Sequence, residues 1–251
     1  MELITQIIIS GILSAALSIV AYKLRMLTYS GALASLLVGY TVGVFGSLEW
    51  LILLIIFTAA GLAATKMDLS NKRSQGLQEG EYGERTYKNV LGVGIPAIIF
   101  AVLYGVLHAY YGKQYDLAMS VAFITTITVA AADTVASEIG VRDPKVWLIT
   151  TFERVRRGTN GGISVLGTVS STAAAIFTGL IGWTLIIIIN KDMSANLIYV
   201  LIPIVMGILG NLLDSFLGAA LENKKRISKY VNNSASALVC ATLGALIILL
   251  L

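Results

Sequence analysis

The chain has 251 residues, 57% of them hydrophobic and only 13% charged, with a net charge of +4 and a mean hydropathy of +0.83. A soluble domain averages about 25% charged residues, so this composition excludes a water-soluble fold and points to helices in a bilayer. The single cysteine, Cys240, excludes an intramolecular disulfide, and nothing in the composition indicates nucleic-acid binding.

Apolar runs of about 18–25 residues are long enough to span a membrane as helices. Eight occur, at 3–22, 28–46, 48–65, 91–111, 117–139, 164–189, 197–221 and 234–251. The first follows Glu2 and has no basic leader, so it reads as a retained helix and not as a signal peptide. The second and third are joined by a very short link near Ser47, Leu48 and Glu49. The eighth has few residues to spare and is expected to be short or tilted. Three prolines and 24 glycines suit helices that pack closely. The reading is an all-α, polytopic transmembrane bundle of about eight spanning helices. It forms one integral membrane domain over residues 1–251, without a separate soluble domain.

Sixteen of the 18 lysines and arginines lie in the links after the first, third, fifth and seventh helices; only Lys113 and Lys191 fall on the other side. Basic loops stay in the cytoplasm, which predicts both termini outside and the loops 65–90, 140–163 and 222–233 inside. One missed or extra helix would scramble this alternation, so the charges also support the count. Topology and anionic headgroups account for part of the basic cap. A cationic face above buried acids also suits a polyanionic substrate.

Three carboxylates interrupt the apolar runs: Asp133 and Glu138 in TTITVAAADTVASEIG, and Asp214 in VMGILGNLLDSFLGAALE. An acid at the centre of a membrane helix costs about 2.5–3.5 kcal/mol, so Asp133 and Asp214 together cost roughly 5–7 kcal/mol unless something compensates. Each lies seven residues before the expected cytoplasmic end of its helix, ~10 Å deep at 1.5 Å per residue. At equal depth they can converge on one ion. Two carboxylates without a cation repel, and one stays protonated. A hard divalent cation such as Mg²⁺ takes oxygen ligands and bridges to phosphates, with Asn211, one turn before Asp214, as a third ligand. A hydrogen-bonded, protonated acid that holds the bundle together is the structural alternative. Glu138 is about 140° around the helix from Asp133, so it joins only if the helix loosens, or it faces another wall.

Two further segments carry glycines beside cations. RRGTNGGISVLGT, residues 156–168, opens the sixth helix, where glycines allow close approach to a ligand and a helix start offers N–H groups to an anion. Arg154, Arg156 and Arg157 stand beside it and suit bidentate phosphate contacts. The stretch matches neither the Walker pattern nor the dinucleotide fingerprint, and a flexible loop with small residues for packing is the bland reading. The long polar link from Lys66 to Asn89 ends similarly, with Arg85 and Lys88 before Asn89, Gly92 and Gly94, and a second phosphate group can bind there. No His/Cys cluster suggests zinc, haem or iron–sulfur.

Taken in order, GERTYKNVLGVG, ADTVASEIG, GTNGGISVLGT and GNLLDSFLGAALE resemble the integral-membrane family that includes plant phytyl-phosphate kinase and uncharacterised animal and archaeal relatives. That family is related to CTP-using polyprenol kinases. The resemblance runs across most of the chain. It implies phosphorylation of a prenyl monophosphate to its diphosphate, with CTP or another nucleotide as donor. It points to Asp133, Thr134, Ser137 and Glu138; to Gly158, Thr159, Asn160, Gly161, Gly162, Ser164 and Thr168; to Arg85 and Asn89; and to Asn211 and Asp214.

The expected activity is therefore a cytoplasm-facing kinase in the cell membrane. Asp133, Asp214 and Glu138 are its catalytic residues, and Mg²⁺ is held by Asp133, Asp214 and Asn211. CTP and an isoprenoid lipid phosphate are its partners. A cytidylyltransferase that forms a CDP-lipid, and a transporter or flippase for a lipid phosphate or small anion, are the alternatives. On a Cys240→Ser background, an impermeant maleimide should label Lys113→Cys in intact cells and Lys225→Cys only after permeabilisation. The reverse pattern would invert the topology.

Overall fold

The apolar runs of the sequence form helices in the computed structural model, which describes residues 3–67, 69–74, 76, 82–189 and 196–251. Glu2, Lys191 and the stretch 77–81 of the loop 65–90 lie outside the described residues. The helices are α1 (Leu3–Lys23), α2 (Tyr29–Thr41), α3 (Leu48–Lys66), a short α4 (Leu69–Ser74), α5 (Tyr87–Tyr111), α6 (Asp116–Gly140), α7 (Val165–Gly182), α8 (Ile198–Leu217) and α9 (Lys229–Leu250). α2, α7 and α8 continue into π-helical turns at Val42–Gly46, Trp183–Ile188 and Gly218–Glu222.

Seven stretches are long and apolar enough to cross a membrane. One of them, Tyr87–Gly140, has 54 residues and would reach roughly 80 Å as a straight helix, against a hydrocarbon core of about 30 Å. Gly112 breaks it with a φ of +63°, and a 3₁₀ turn at Gly112–Tyr115 folds it into α5 and α6, which pack on each other. Eight long helices among the described residues follow from that break. The last one is not short: α9 starts at Lys229, five residues before the expected apolar boundary, because Ser228 caps it by accepting the Val231 N–H at 3.4 Å. Thr28, Ser47 and Ser164 cap α2, α3 and α7 in the same way, as short hydroxyl side chains do at helix starts.

α6 is the axis of the bundle and packs against α3, α5, α7, α8 and α9. Fifteen consecutive residues, 118–132, are buried on it, which explains why its run shows no polar face. The hydroxyls of Thr125, Thr126 and Thr128 donate to the carbonyls of Val121, Ala122 and Ile124, so their burial leaves no unmet hydrogen bond. At the end away from the basic links, Trp50 stacks on Phe123 with ring centroids 4.1 Å apart. There His108 lies 3.0 Å from the buried Asp116 carboxylate. This pairing was not legible in the separate apolar runs.

Close helix approach rests on small residues, since lipid tails offer no hydrophobic drive for helix association. A Cβ at Gly207 of α8 would lie 2.4 Å from Thr128 Cγ2 on α6, and one at Gly210 would lie 2.5 Å from Val129 Cγ2. These two glycines bring α8 against α6 one and two turns below Asp214. Gly207→Val should lower stability by about 1–3 kcal/mol through overpacking, read as an earlier thermal transition in detergent. Gly11→Ala, whose Cβ meets only a Tyr40 ring at 3.7 Å, should leave the transition unchanged.

Candidate active site

The α6–α8 crossing carries Asp133 and Asp214 into one cavity of about 340 Å³ at the basic end of the bundle. Asn211, Ser215 and Glu222 line it from α8 and its π turn, and Ser137 and Glu138 from α6. The loop before α7 supplies Gly158, Thr159, Asn160, Gly161, Gly162 and Ile163. Ser164, Thr168 and Lys229 also line it. The two aspartyl side chains are close enough to act on each other electrostatically. A π turn, which often accompanies a functional site, ends α8 here and sets Glu222 in the wall.

The first turn of α9 closes the acid pair, and the sequence reading passed over it. Asn233 Nδ2 lies 3.3 Å from Asp133 Oδ2. With its amide turned over, the nitrogen instead donates to Asp214 Oδ2 at 3.2 Å and to the Lys229 carbonyl at 2.7 Å. Asn233 thus sits between the two carboxyls in either orientation. Asn232, fully buried, donates to the Asp214 carbonyl at 2.9 Å. Lys229 acts electrostatically on both Asp214 and Glu222. The signal was present: Lys229, Asn232 and Asn233 are polar groups heading an otherwise apolar helix. An apolar boundary at 234 leaves them in the basic link 222–233.

The loop 141–164 is ordered, not a flexible tether. Trp147–Leu148 (β1) and Gly162–Ile163 (β2) form an antiparallel ladder with Trp147 opposite Ile163. Ile149 N donates to Gly161 O at 3.0 Å. Gly158 and Gly161 have φ of +77° and +75°, which favours glycine. A Cβ at Gly161 would also fall 2.5 Å from both Ala219 Cβ and Ser215 O. Asn223 Nδ2 holds the Asn160 carbonyl at 3.0 Å. The glycines therefore press the loop onto the π turn of α8 and roof the cavity.

The start of α7 differs from expectation. Leu166 N–H already donates to Asp143 Oδ2 at 3.2 Å, and Gly167 N–H to Ser164 Oγ at 3.0 Å. Ser164 Oγ in turn donates to Gly140 O at 3.3 Å, tying the end of α6 to the start of α7. Ser164 is a helix cap, and these two donors of the first turn are engaged by the protein itself. The loop and the helix dipole remain to face an anion.

None of Arg154, Arg156 and Arg157 lines the cavity. Arg154 lies over the Trp147 ring at 5.7 Å, and Arg157 acts on Asp143. Arg85 and Asn89 line a different, apolar cavity on the far side of α6. Asn89 Oδ1 caps α5 by accepting from Thr86 N and Oγ1, both at 2.9 Å. Glu138 turns its carboxylate to that same side. Lys72 Nζ is 2.7 Å from its Oε2, with Arg85 Nη2 at 3.3 Å and Thr65 Oγ1 at 2.8 Å from its Oε1. Glu138, five residues beyond Asp133, lines the edge of the aspartate cavity and commits its carboxylate to this ion pair at the boundary between the two cavities.

Among the described residues no group of three or more His, Cys, Asp or Glu side chains forms a metal cage. Asp133, Asp214 and the Asn211 amide oxygen can still hold a hard divalent cation, because such an ion is often bound by one or two carboxylates and completed by substrate phosphates and water. Asn211 Nδ2 donates to Ser171 Oγ at 3.2 Å, which leaves its carbonyl oxygen as the available ligand.

The profile of the Integral membrane protein DUF92 family matches residues 12–247, and with them every element of this site. The chain belongs to that family. Its relatives in the family include the uncharacterized membrane protein MJ0933 of Methanocaldococcus jannaschii, 32% identical over 248 residues, or 98% of this chain and 96% of the relative. The chloroplastic protein VTE6 of Arabidopsis thaliana is 29% identical over 227 residues, covering 90% of this chain and 65% of VTE6. Protein PGR of the same plant is 28% identical over 229 residues, covering 86% and 79%. No solved structure matches the chain.

Asp143 offers a test of the loop anchor in this DUF92 chain. Hydrogen bonds from the Lys145 and Leu166 N–H groups hold its carboxyl below the ordinary carboxylate range. A depressed folded value contributes stability above the unfolded pKa and loses it as pH falls through the folded one. Asp143→Asn should therefore loosen the 141–164 loop at neutral pH, seen as faster amide exchange at Leu166. The difference from the parent should shrink once pH drops below the usual carboxylate range.

Proposed function

We propose that this chain is a membrane phosphotransferase. It moves the terminal phosphoryl group of a nucleoside triphosphate, CTP foremost, to a prenyl monophosphate, and the prenyl diphosphate is the product. One observation carries the reading: two membrane-embedded aspartates share a polar cavity with a glycine-rich loop, under the basic end of the bundle. The family membership and the resemblance to plant phytyl-phosphate kinase support the same reaction class. The positive-inside bias supports a reaction on the cytoplasmic face.

A hydrophobic acceptor explains a site built inside a bundle. The prenyl chain stays in the hydrocarbon, and only the phosphate needs to reach the level of Asp133 and Asp214. An oxygen of that phosphate attacks the γ-phosphorus. The bond from the γ-phosphorus to the β–γ bridging oxygen breaks, and the electron pair leaves with CDP. No general base is required, because the acceptor is already an anion. Positioning and charge neutralisation carry most of phosphoryl transfer. The Gly158–Ile163 roof lets backbone approach the donor phosphates, with Thr168 as a hydroxyl donor, while the Thr159 hydroxyl donates to Arg156 O at 2.8 Å and shapes the roof. Lys229 adds a cation at the opposite wall, and Asn233 keeps the two carboxyls at fixed separation. Mg²⁺, when bound by Asp133, Asp214 and Asn211, supplies neutralisation of the phosphate charge. Arg154, Arg156 and Arg157 stand outside the lining and attract the nucleotide from solution.

Asp133→Asn and Asp214→Asn should each reduce turnover by at least ~100-fold, the scale for losing one electrostatic group at a reacting centre, with an unchanged detergent elution profile. The assay is conversion of geranylgeranyl or phytyl phosphate with radiolabelled CTP. CDP and a lipid diphosphate are the expected products; pyrophosphate and a CDP-lipid would assign a cytidylyltransferase. Full activity in Asp133→Asn would remove the aspartates from the chemistry.

A further inference from the structure

A second cavity, of about 250 Å³, lies on the other side of α6 from the aspartates, among α1, α2, α3 and α5. Its walls are almost wholly hydrocarbon, from side chains such as Leu17, Leu54, Phe57 and Val93. Along α3 it extends from Leu51 to Leu62, about 16 Å at 1.5 Å per residue, or half of the hydrocarbon thickness of a bilayer. Leu17, Val20 and Ala59 line it and are also exposed on the outer surface of the bundle, so it opens sideways, where lipid lies.

Among the described residues its only charged lining residue is Arg85, at the end near the basic links. Arg85 belongs to the buried cluster with Lys72 and Glu138, in which two cations share one carboxylate. Lys72 is 4% exposed and Arg85 22%. Among the described residues the cluster carries a net positive charge, complementary to an anion at the head of an apolar tube. The cluster is also a boundary: Arg85 lines the apolar cavity, and its partner Glu138 lines the polar one. Thr134 lines the first cavity and its neighbour Asp133 the second. The two cavities are therefore back to back across one turn of α6.

We propose that the apolar cavity binds the hydrocarbon chain of a single-chain lipid monophosphate, with its phosphate at Arg85, and that the Arg85–Glu138–Lys72 cluster is the partition across which that phosphate meets the aspartate cavity. The proposal rests on the phosphotransferase reading and adds to it the acceptor's berth. A bare inorganic anion finds no reason for the tube, and a chain without a headgroup finds none for the cluster. Glu138 is here a positioning residue that holds the two cations, and not a catalytic one.

The test uses the full chain in nanodiscs, without nucleotide, and a geranylgeranyl monophosphate analogue with a diazirine in its chain. Adducts are expected on Leu17, Leu54 and Val93. Geranylgeranyl phosphate should compete about tenfold better than geranylgeraniol, the scale of one or two hydrogen bonds to a charged group, and Arg85→Gln should remove that preference. Val93→Phe and Ala59→Phe, which fill the cavity from two different helices, should each reduce labelling severalfold with elution unchanged. Adducts confined to outward lipid-facing residues such as Ile12 and Leu37, or equal competition by a diacyl phosphatidic acid, would overturn the proposal. Because no nucleotide is present, cavity labelling in a protein without turnover sinks the phosphotransferase reading alone. Turnover with adducts elsewhere sinks this inference alone.

Discussion

Asp133 and Asp214 meet at the crossing of α6 and α8, and the arrangement of this end of the bundle follows from keeping two acids together in a low-dielectric setting. Isolated, each costs about 2.5–3.5 kcal/mol to place at the centre of a membrane helix. Here they share a cavity, an amide between them and a lysine in the same wall. The crossing itself depends on Gly207 and Gly210, whose missing side chains let α8 approach α6. The same economy of side chains appears at Gly161, which lets the loop roof the cavity. Glycine in this protein buys proximity at the two places where the site needs backbone to touch backbone or side chain.

Charge divides the protein into two compartments around α6. On one side the acids outnumber the cations: among the described residues, Asp133, Glu138, Asp214 and Glu222 line the cavity with Lys229. On the other side Lys72 and Arg85 share Glu138 and border an apolar tube. An excess of carboxylate suits a metal–phosphate complex, whereas an excess of cation suits a bare anion. One helix therefore separates an acid-rich environment from a cation-rich one, with Asp133 and the ion-paired Glu138 carboxylate five residues apart around it. A regular α-helix produces that separation without special geometry, because five residues turn the chain through about 140°.

Much of this was readable before any fold was known. Hydropathy marked the helices, because a bilayer tolerates only segments whose backbone bonds to itself. The basic residues marked one end. Asp133 and Asp214 were conspicuous because apolar surroundings make an acid expensive. Arg85 and Asn89 stand out as a basic-then-glycine helix start and Ser164 through the family resemblance; in the structure they also make an ion pair, an α5 cap and an α7 cap. Those duties depend on partners distant in sequence, such as Glu138 for Arg85, and spacing along the chain does not encode them. Asn233 was overlooked for the same reason. Its meaning lies in Asp133, one hundred residues away.

By itself, the sequence determined a bundle of long apolar helices, a basic end, and the presence of acids that such helices do not carry without compensation. These are local properties: each follows from a residue and its immediate neighbours in a hydrophobic solvent. The tertiary structure decided which polar groups compensate which. It brought Asp133 together with Asp214 and Asn233, and turned Glu138 toward Lys72 and Arg85. Pairings of that kind are set by helix crossing angles and by the absence of side chains at contact points, and both emerge only when the whole bundle is packed.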